Sequence, residues 1–499
     1  MSDHRASSRP NILLIMTDTS RRDTLGAYGS EVAISPNVDR LAADGVTFQQ
    51  AHTQAPVCMP ARVSLLTGTH TPVHGCIENG IDRRSELITL PDLLADAGYH
   101  NIMVGKAHFG GPVPASFHEQ HLLGGEKGAD VDDEYARHLA RHGFERRSQQ
   151  PNPIPEELFC DAFLADQTMA AIDRHRADRP EQPFFAFCSM PSPHSPLDPP
   201  GRWAELFAEA ELPPLNYRPG EEESWPEHLR RLVGDRGVES TSGPGELDHP
   251  EVDRQRRLYY GLAAYCDAQI GRLLDHLDAS GLRENTLVVF TTDHGQQYYD
   301  HGFNDKHTFY DASWRIPLIM RWPGVIPAGR SAQWAMTSDL TATFAAVADA
   351  ETPYLQGFDL VGPVSRGEPD ARACAVAVLH RSLALATPDW KIEYFPETDS
   401  GRLYDRRRDV GEQYDLWSDP DHREIRDALL TALLAWRADL TDVQYLQEHT
   451  RRGGPVAQRV ADQSRARRGI DAEERLNRRV RALLSADGQH DQHQVINTE

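Results

Sequence analysis

Cys58-Met59-Pro60-Ala61-Arg62-Val63-Ser64-Leu65-Leu66-Thr67-Gly68 is the stretch on which the reading of this chain turns. Pro60 suits the first turn of a helix, where its missing N–H costs nothing and its fixed φ helps. Gly68 is a natural stop for the same helix. Cys58 then stands at a helix N-terminus, where unpaired N–H groups and the helix dipole favour anions. Arg62, one turn along, can return its guanidinium to that spot. Such surroundings lower a thiol pKa and make the sulfur reactive. A small buried cysteine ahead of an amphipathic helix is the plainer alternative.

The bulk numbers bound the possibilities. At 499 residues the chain can bury a large core, and one big α/β domain with a smaller companion fits better than several units. A formal net charge of −23 argues against a nucleic-acid binder or an acidic-membrane binder. It leaves room for an anionic substrate, because a local cationic pocket can override the global sign. Lysine is scarce: only Lys106, Lys127, Lys306 and Lys391 occur. The first ten residues lack the pattern of a secretory signal. No run approaches the length of a membrane span. Six cysteines (58, 76, 160, 188, 266 and 374) show no paired metal spacing and are expected to be reduced thiols. A cytoplasmic protein is the expectation.

Four apolar runs read as buried strands, and each ends in polar residues. Asn11 to Met16 runs into Asp18, and Asn101 to Val104 into Gly105-Lys106-Ala107-His108. Phe184 to Cys188 breaks into Pro191-Ser192-Pro193-His194-Ser195-Pro196, and Thr286 to Phe290 ends in Asp293-His294-Gly295. In open α/β sheets ligands collect at the carboxyl ends of strands. Asp18 is therefore placed either to hold a metal or to cap the next helix. Lys106 and His108, two apart in an extended segment, share a side. His194, held between prolines, is rigidly presented.

Cys58 to Gly68 reproduces without mismatch the Cys-x-Pro-x-Arg-x-x-x-x-Thr-Gly signature of the type I sulfatases, and the chain resembles that family of the alkaline phosphatase superfamily. The resemblance implies an α/β fold with a large, mostly parallel mixed sheet flanked by helices and a smaller C-terminal α+β subdomain. It implies that Cys58 is converted by a formylglycine-generating enzyme to formylglycine, whose hydrate is the nucleophile. It makes Asp18, Cys58, Asp293 and His294 ligands of one divalent cation. A nitrogen donor among carboxylates admits Mn2+ beside the family's usual Ca2+. The Gly-Lys-x-His element assigns Lys106 and His108 to the sulfate, and the Pro-His-x-Pro element assigns His194 to the ester oxygen or sulfate. Lys306, in the loop before Arg315-Ile316-Pro317, bridges nucleophile and substrate anion. Arg62, Lys106 and Lys306 clamp the sulfuryl oxygens, and His108 or His194 protonates the leaving alcohol. One departure stands out: Thr19 occupies the position of a second acidic residue.

The expected domains are a catalytic part over 1–374, a small antiparallel sheet plus helix over 375–442, and a charged tail over 443–499. The tail reads as an oligomerisation arm or a loosely packed helix, its last dozen residues disordered. Polar insertions at 111–160 and 201–250 are expected to shape specificity for the alcohol, with His118, His121, His138 and His142 as solvated loop residues. The expected activity is hydrolysis of sulfate esters, with a homodimer or homotetramer as the assembly. The rival on the same fold and nucleophile is a phosphonate monoester or phosphodiester hydrolase. A non-catalytic anion-binding protein and a metal-free cysteine hydrolase are the more distant alternatives.

Overall fold

The computed structural model describes residues 9–124, 133–146, 148–227, 229–230, 247, 250–352, 355–450 and 472–485. Eight strands form the main sheet: β1 Asn11–Thr17, β2 Val46–His52, β3 His100–Gly105, β4 Glu119–Leu122, β5 Phe184–Ser189, β6 Thr286–Thr292, β7 Leu318–Arg321 and β8 Gly329–Met336. Their order is β4-β3-β5-β1-β6-β7-β2-β8. From β4 to β6 every neighbour pairs in parallel, and β7 alone runs against its neighbours β6 and β2. A second sheet of four antiparallel strands follows: β9 Ala375–Leu379, β10 Ser382–Ala386, β11 Trp390–Phe395 and β12 Ser400–Asp405. The mixed, mostly parallel sheet and the small C-terminal sheet agree with the expected architecture.

The continuous apolar runs have their reason in the layering. Side chains alternate across a strand, so Leu13, Ile15, Val104, Ala186, Val288 and Phe290 face one core, which includes residues of the helices Cys160–Asp178 and Pro250–Ala279. Ile12, Leu14, Met16, Met103, Phe185, Phe187 and Val289 face the other, shared with residues of the helices Cys58–Thr67, Leu90–Asp96 and Thr337–Val347. Both faces are covered, and a parallel sheet of this kind has no solvent face to make polar. The five parallel strands therefore present their carboxyl ends along one rim.

Two expectations change. The 111–160 segment is not simply a loop over the site, because Glu119–Leu122 adds an edge strand beside β3 and Glu134–Arg141 is a helix capped by the Asp133 side chain. Two of its histidines are engaged, His118 Nδ1 accepting from the Asn101 N–H and His121 lying between Glu119 and Glu134, whereas His142 is exposed as expected. The tail is not a loose arm throughout. Residues 472–485 are helical, and Ala472, Leu476 and Val480 are buried with Leu433 and Trp436 of the helix Arg423–Thr450. Their i, i+4, i+8 spacing makes an apolar stripe along one face of the helix. The rest of the tail, with its last dozen residues, and much of 201–250 lie outside the described residues.

Candidate active site

The helix Cys58–Thr67 starts at the cysteine and stops at Gly68, whose φ of 61° is the left-handed conformation that favours glycine. The helix is buried throughout, which sets Cys58 below the rim of the sheet instead of at the surface. Around its sulfur the ends of β1, β3, β5 and β6 converge.

Asp18, Cys58, Asp293 and His294 each offer a ligand atom, and these atoms lie within 4.8 Å of one another; all four residues are buried. Asp18 Oδ1 stands 3.8 Å from Cys58 Sγ, and His294 Nε2 3.2 Å from it. His294 Nδ1 lies 2.7 Å from the Gly295 carbonyl, which places the ring proton there and leaves the Nε2 lone pair for the cluster. Asp293 Oδ1 accepts from the backbone N–H groups of Thr19 (3.2 Å) and His294 (2.9 Å). Two carboxylates, one imidazole nitrogen and the oxygen that a modified Cys58 would carry are a donor set that suits a hard or borderline divalent cation. Thr19 Oγ1, buried beside them, has no hydrogen-bond partner among the described residues. The residues fit a metal.

Cations surround this cluster. Arg62 is wholly buried and donates from Nε to Asp293 Oδ2 (2.8 Å) and from Nη1 to Ser189 Oγ (2.7 Å) and the Lys106 carbonyl (3.0 Å). Its Nη2 reaches Asp18 Oδ2 at 3.5 Å. Lys106 Nζ lies 2.7 Å from the same oxygen. Lys306 Nζ donates to Cys58 Sγ (3.3 Å) and to His194 Nε2 (3.0 Å), whose Nδ1 in turn donates to the Ser195 carbonyl at 2.6 Å. His108 hydrogen-bonds the Cys58 sulfur. All nine sequence-selected residues therefore meet around one sulfur. The Arg62 donors are directed at the two aspartates, Ser189 and the Lys106 carbonyl.

The electrostatics follow from these contacts. Burial opposes ionisation of Cys58, but Lys306, Lys106, His294 and the His108 hydrogen bond outweigh it and hold the thiol well below its ordinary range. Burial and Cys58 likewise oppose the Asp18 carboxylate; Lys106, His194 and Arg62 overcome them and keep it ionised. Burial disfavours the Lys306 ammonium, and the charges of Cys58, Asp18 and Asp305 raise its pKa despite that. Three cations, Arg62, Lys106 and Lys306, line a hollow around two carboxylates and the Cys58 sulfur, a local concentration of positive groups in a chain of net charge −23. That hollow is built for an anion.

Backbone strain concentrates here. Thr19, His108, His301 and His307 all have positive φ, at 64°, 51°, 52° and 75°. Tyr259 holds Thr19 by donating its hydroxyl to the Thr19 carbonyl (2.8 Å). Ser189, Tyr259, Ser192 and Asp161 escaped the sequence reading. Ser189 is the last residue of β5, so the strand-end rule that found Lys106 was available for it. Asp161, bonded by the Ser192 hydroxyl beneath the His194 loop, carried no local signal.

A nucleophile position at a helix start, a cation-rich anion hollow and a buried ligand cluster on one sheet rim define a hydrolase of anionic esters. Residues 10–350 match the family model described as Sulfatase, and residues 299–439 match that described as N-sulphoglucosamine sulphohydrolase, C-terminal. The chain belongs to the type I sulfatase family of the alkaline phosphatase superfamily and is a sulfuric ester hydrolase. It is 29% identical to an uncharacterized sulfatase, YidJ, of Escherichia coli over 87% of this chain and 88% of that one. It is 30% identical to an arylsulfatase of Clostridium perfringens over 64% and 70%, and 26% identical to a choline-sulfatase of Rhizobium meliloti over 88% of each. Among solved structures, a phosphonate monoester hydrolase of Agrobacterium radiobacter superposes with TM-score 0.76 at 23% identity, covering 87% of this chain and 96% of that one. A protein solved with its substrate D-glucosamine-2-N,6-O-disulfate superposes with TM-score 0.71 at 22% identity, covering 87% and 99%. These two likenesses speak to the fold. Among the described residues no helix is long and apolar enough to cross a membrane.

Proposed function

We propose that the chain hydrolyses a sulfate ester with formylglycine derived from Cys58, releasing inorganic sulfate and an alcohol or phenol. The observation that carries this reading is the meeting of Asp18, Cys58, Asp293 and His294 within 4.8 Å, with Lys306 3.3 Å from the sulfur. Converted to formylglycine, Cys58 supplies a hydrated aldehyde: one hydroxyl attacks sulfur as the ester S–O bond breaks, and the other, losing its proton, expels sulfate and restores the aldehyde. Asp18, Asp293, His294 and the modified Cys58 would hold a divalent cation, Ca2+ or Mn2+, which would supply Lewis-acid chemistry to the nucleophile and the sulfuryl group.

The remaining roles belong to the chain's own side chains. Arg62 fixes both aspartates and offsets their mutual repulsion. Lys106 and Lys306 face the sulfuryl oxygens and stabilise the charge that grows on them in the transition state. His108 or His194 delivers a proton to the leaving oxygen. His194 Nε2 accepts a hydrogen bond from the Lys306 ammonium, so His194 acts as the acid once that proton has moved to it. An unmodified thiol has no second hydroxyl with which to expel sulfate, so Cys58 needs its maturation enzyme. All six cysteines are free thiols, which supports a reducing, cytoplasmic setting. A homodimer or homotetramer is the proposed assembly.

The test is mass spectrometry of the tryptic peptide carrying Cys58, from protein produced with a formylglycine-generating enzyme. An aldehyde that resists alkylation, in protein that releases sulfate, is the expected result. An alkylatable cysteine in fully active protein refutes the nucleophile. The Asp293-His294 pair and Thr19 favour a second reading, a phosphonate monoester or phosphodiester hydrolase with the same nucleophile. Kinetics on matched aryl sulfate, phosphonate and phosphodiester substrates separate the two by their kcat/KM order.

A further inference from the structure

Beside the anion hollow lies a cavity of about 420 Å3, and Lys106 and His194 stand in its wall. Its remaining lining comes from three places: the 123–160 segment, the loop 191–198, and Leu262 of the helix Pro250–Ala279. Tyr135, Ile154, Phe159 and Leu262 make apolar walls. A hollow of this size accepts one substituted ring and is at the small end of ligand pockets.

Its charged lining residues beyond the catalytic side chains already have protein partners. Arg146 is paired with Asp133, bonds the Gly124 carbonyl and lies over the Tyr135 ring at 5.8 Å. Asp198 accepts from Ser148 and from the backbone, and burial pushes its pKa up to about 6. A second anionic group on the substrate would have to displace Asp133 from Arg146, and a cationic head would have to displace the donors that hold Asp198. Either exchange gives up an existing partner, and a charge left unpaired in the cavity is costly.

We propose that this cavity binds the alcohol half of the substrate, and that it selects a single uncharged ring over a quaternary ammonium alcohol or a multiply sulfated sugar. This inference rests on the sulfate-ester reading above. Specificity then resides in Tyr135, Ile154, Phe159 and Leu262, on the 111–160 side of the site. No described residue of 201–250 lines the cavity: Trp203 donates to Glu156 and packs on Tyr265, and Asn216 bonds Asp300, His301 and the Gly411 carbonyl.

The experiment compares the matured, metal-loaded enzyme with Ile154→Trp, which fills the cavity, and Phe159→Ala, which enlarges it. The substrates are phenyl sulfate, naphthyl sulfate, choline sulfate and a disulfated glucosamine, and inorganic sulfate is the competitive probe of the anion end alone; a wild-type preference for the disulfated sugar over phenyl sulfate overturns the proposal. Expected results are a fall of at least tenfold in kcat/KM for phenyl sulfate in Ile154→Trp, with the inhibition constant of inorganic sulfate within twofold of wild type. Phe159→Ala is expected to shift the naphthyl-to-phenyl ratio at least fivefold towards naphthyl. Unchanged kcat/KM in Ile154→Trp, or no shift of ratio in Phe159→Ala, overturns the pocket; so does a wild-type preference for choline sulfate. If the wild type cleaves no sulfate ester but does cleave phenyl phosphonate monoesters, the sulfate reading fails. The same two variants then decide the pocket on phenyl and naphthyl phosphonates.

Discussion

Two buried charge clusters lie at opposite ends of the Cys58 helix, and they are built on different terms. At its start, three cations face two carboxylates and a sulfur, several residues hold positive φ, and a cavity adjoins. Past its end, Arg372 donates to both oxygens of Asp339 and, at 2.7 Å, to Glu473, whose other oxygen takes the His70 ring (2.8 Å) and the Trp436 indole N–H (2.7 Å). There the charges close on one another, none of these residues has positive φ, and each carboxylate is fully bonded. Buried charge alone does not mark function. Several cations gathered on one nucleophilic sulfur, beside a cavity, do.

The comparison is broken most forcefully at Cys58. Cys58→Ala is expected to lower kcat by on the order of 10^4-fold or more, while the urea midpoint moves little; sulfate release and denaturation curves read the two effects. Retained turnover would strip the rim of its special status.

Arg372→Met should do the reverse. It leaves Asp339 and Glu473 buried without their cation, a loss of about 3–5 kcal/mol, with kcat per folded molecule within about twofold. Urea unfolding with activity measured on the folded fraction tests this, and a catalytic defect without a stability defect would contradict it.

Acid titration sharpens the contrast further. Burial raises the Glu473 pKa, but His70, the Trp436 hydrogen bond and Arg372 bring it down to about 2, below the ordinary 4.5. Its contribution to stability is therefore complete above about pH 4.5 and is lost as pH falls towards 2. The urea midpoint should drop across that window in the wild type and less steeply in Glu473→Gln.

Asp161, beneath the catalytic rim, has the opposite sign and a smaller effect. Burial lifts its pKa from 3.8 to about 6 against the hydrogen bonds from Ser192, and its Oδ1 has no partner among the described residues. The native state favours the protonated acid, so this contribution is full below about pH 3.8 and disappears as pH rises through 6. Asp161→Asn should flatten that slope and stabilise the protein at pH 8 by about 1–3 kcal/mol. An unchanged slope would mean that Asp161 does not titrate there.

Much of the rim was legible because each motif is local. Asp18, Lys106 and His108, His194, and Asp293-His294 each follow an apolar run that has to be a buried strand, so their place at a strand end follows from chain order alone. Arg62 follows from its place one turn along the Cys58 helix, and Lys306 from the family resemblance. Thr19 is the instructive gap: its identity was plain, but its positive φ, its bond to Asp293 and its unpartnered hydroxyl come from packing. A helix in the tail was one of its two expected forms, but that Ala472, Leu476 and Val480 are buried against Leu433 and Trp436 is decided by tertiary packing.

The sequence by itself determined the nucleophile position, the strand-end polar groups, the class of sheet and the family. All of these are encoded in short runs whose periodicity or signature is self-contained. Tertiary structure decided the rest: that Arg62 binds two aspartates 44 and 231 positions away, that Glu473 closes a cluster with Arg372 and His70, and that the 111–160 segment adjoins the anion hollow with a ring-sized cavity. Such pairings depend on which strands lie side by side. Strand order is set by how the whole core packs, and no hydrophobic pattern within one segment carries it.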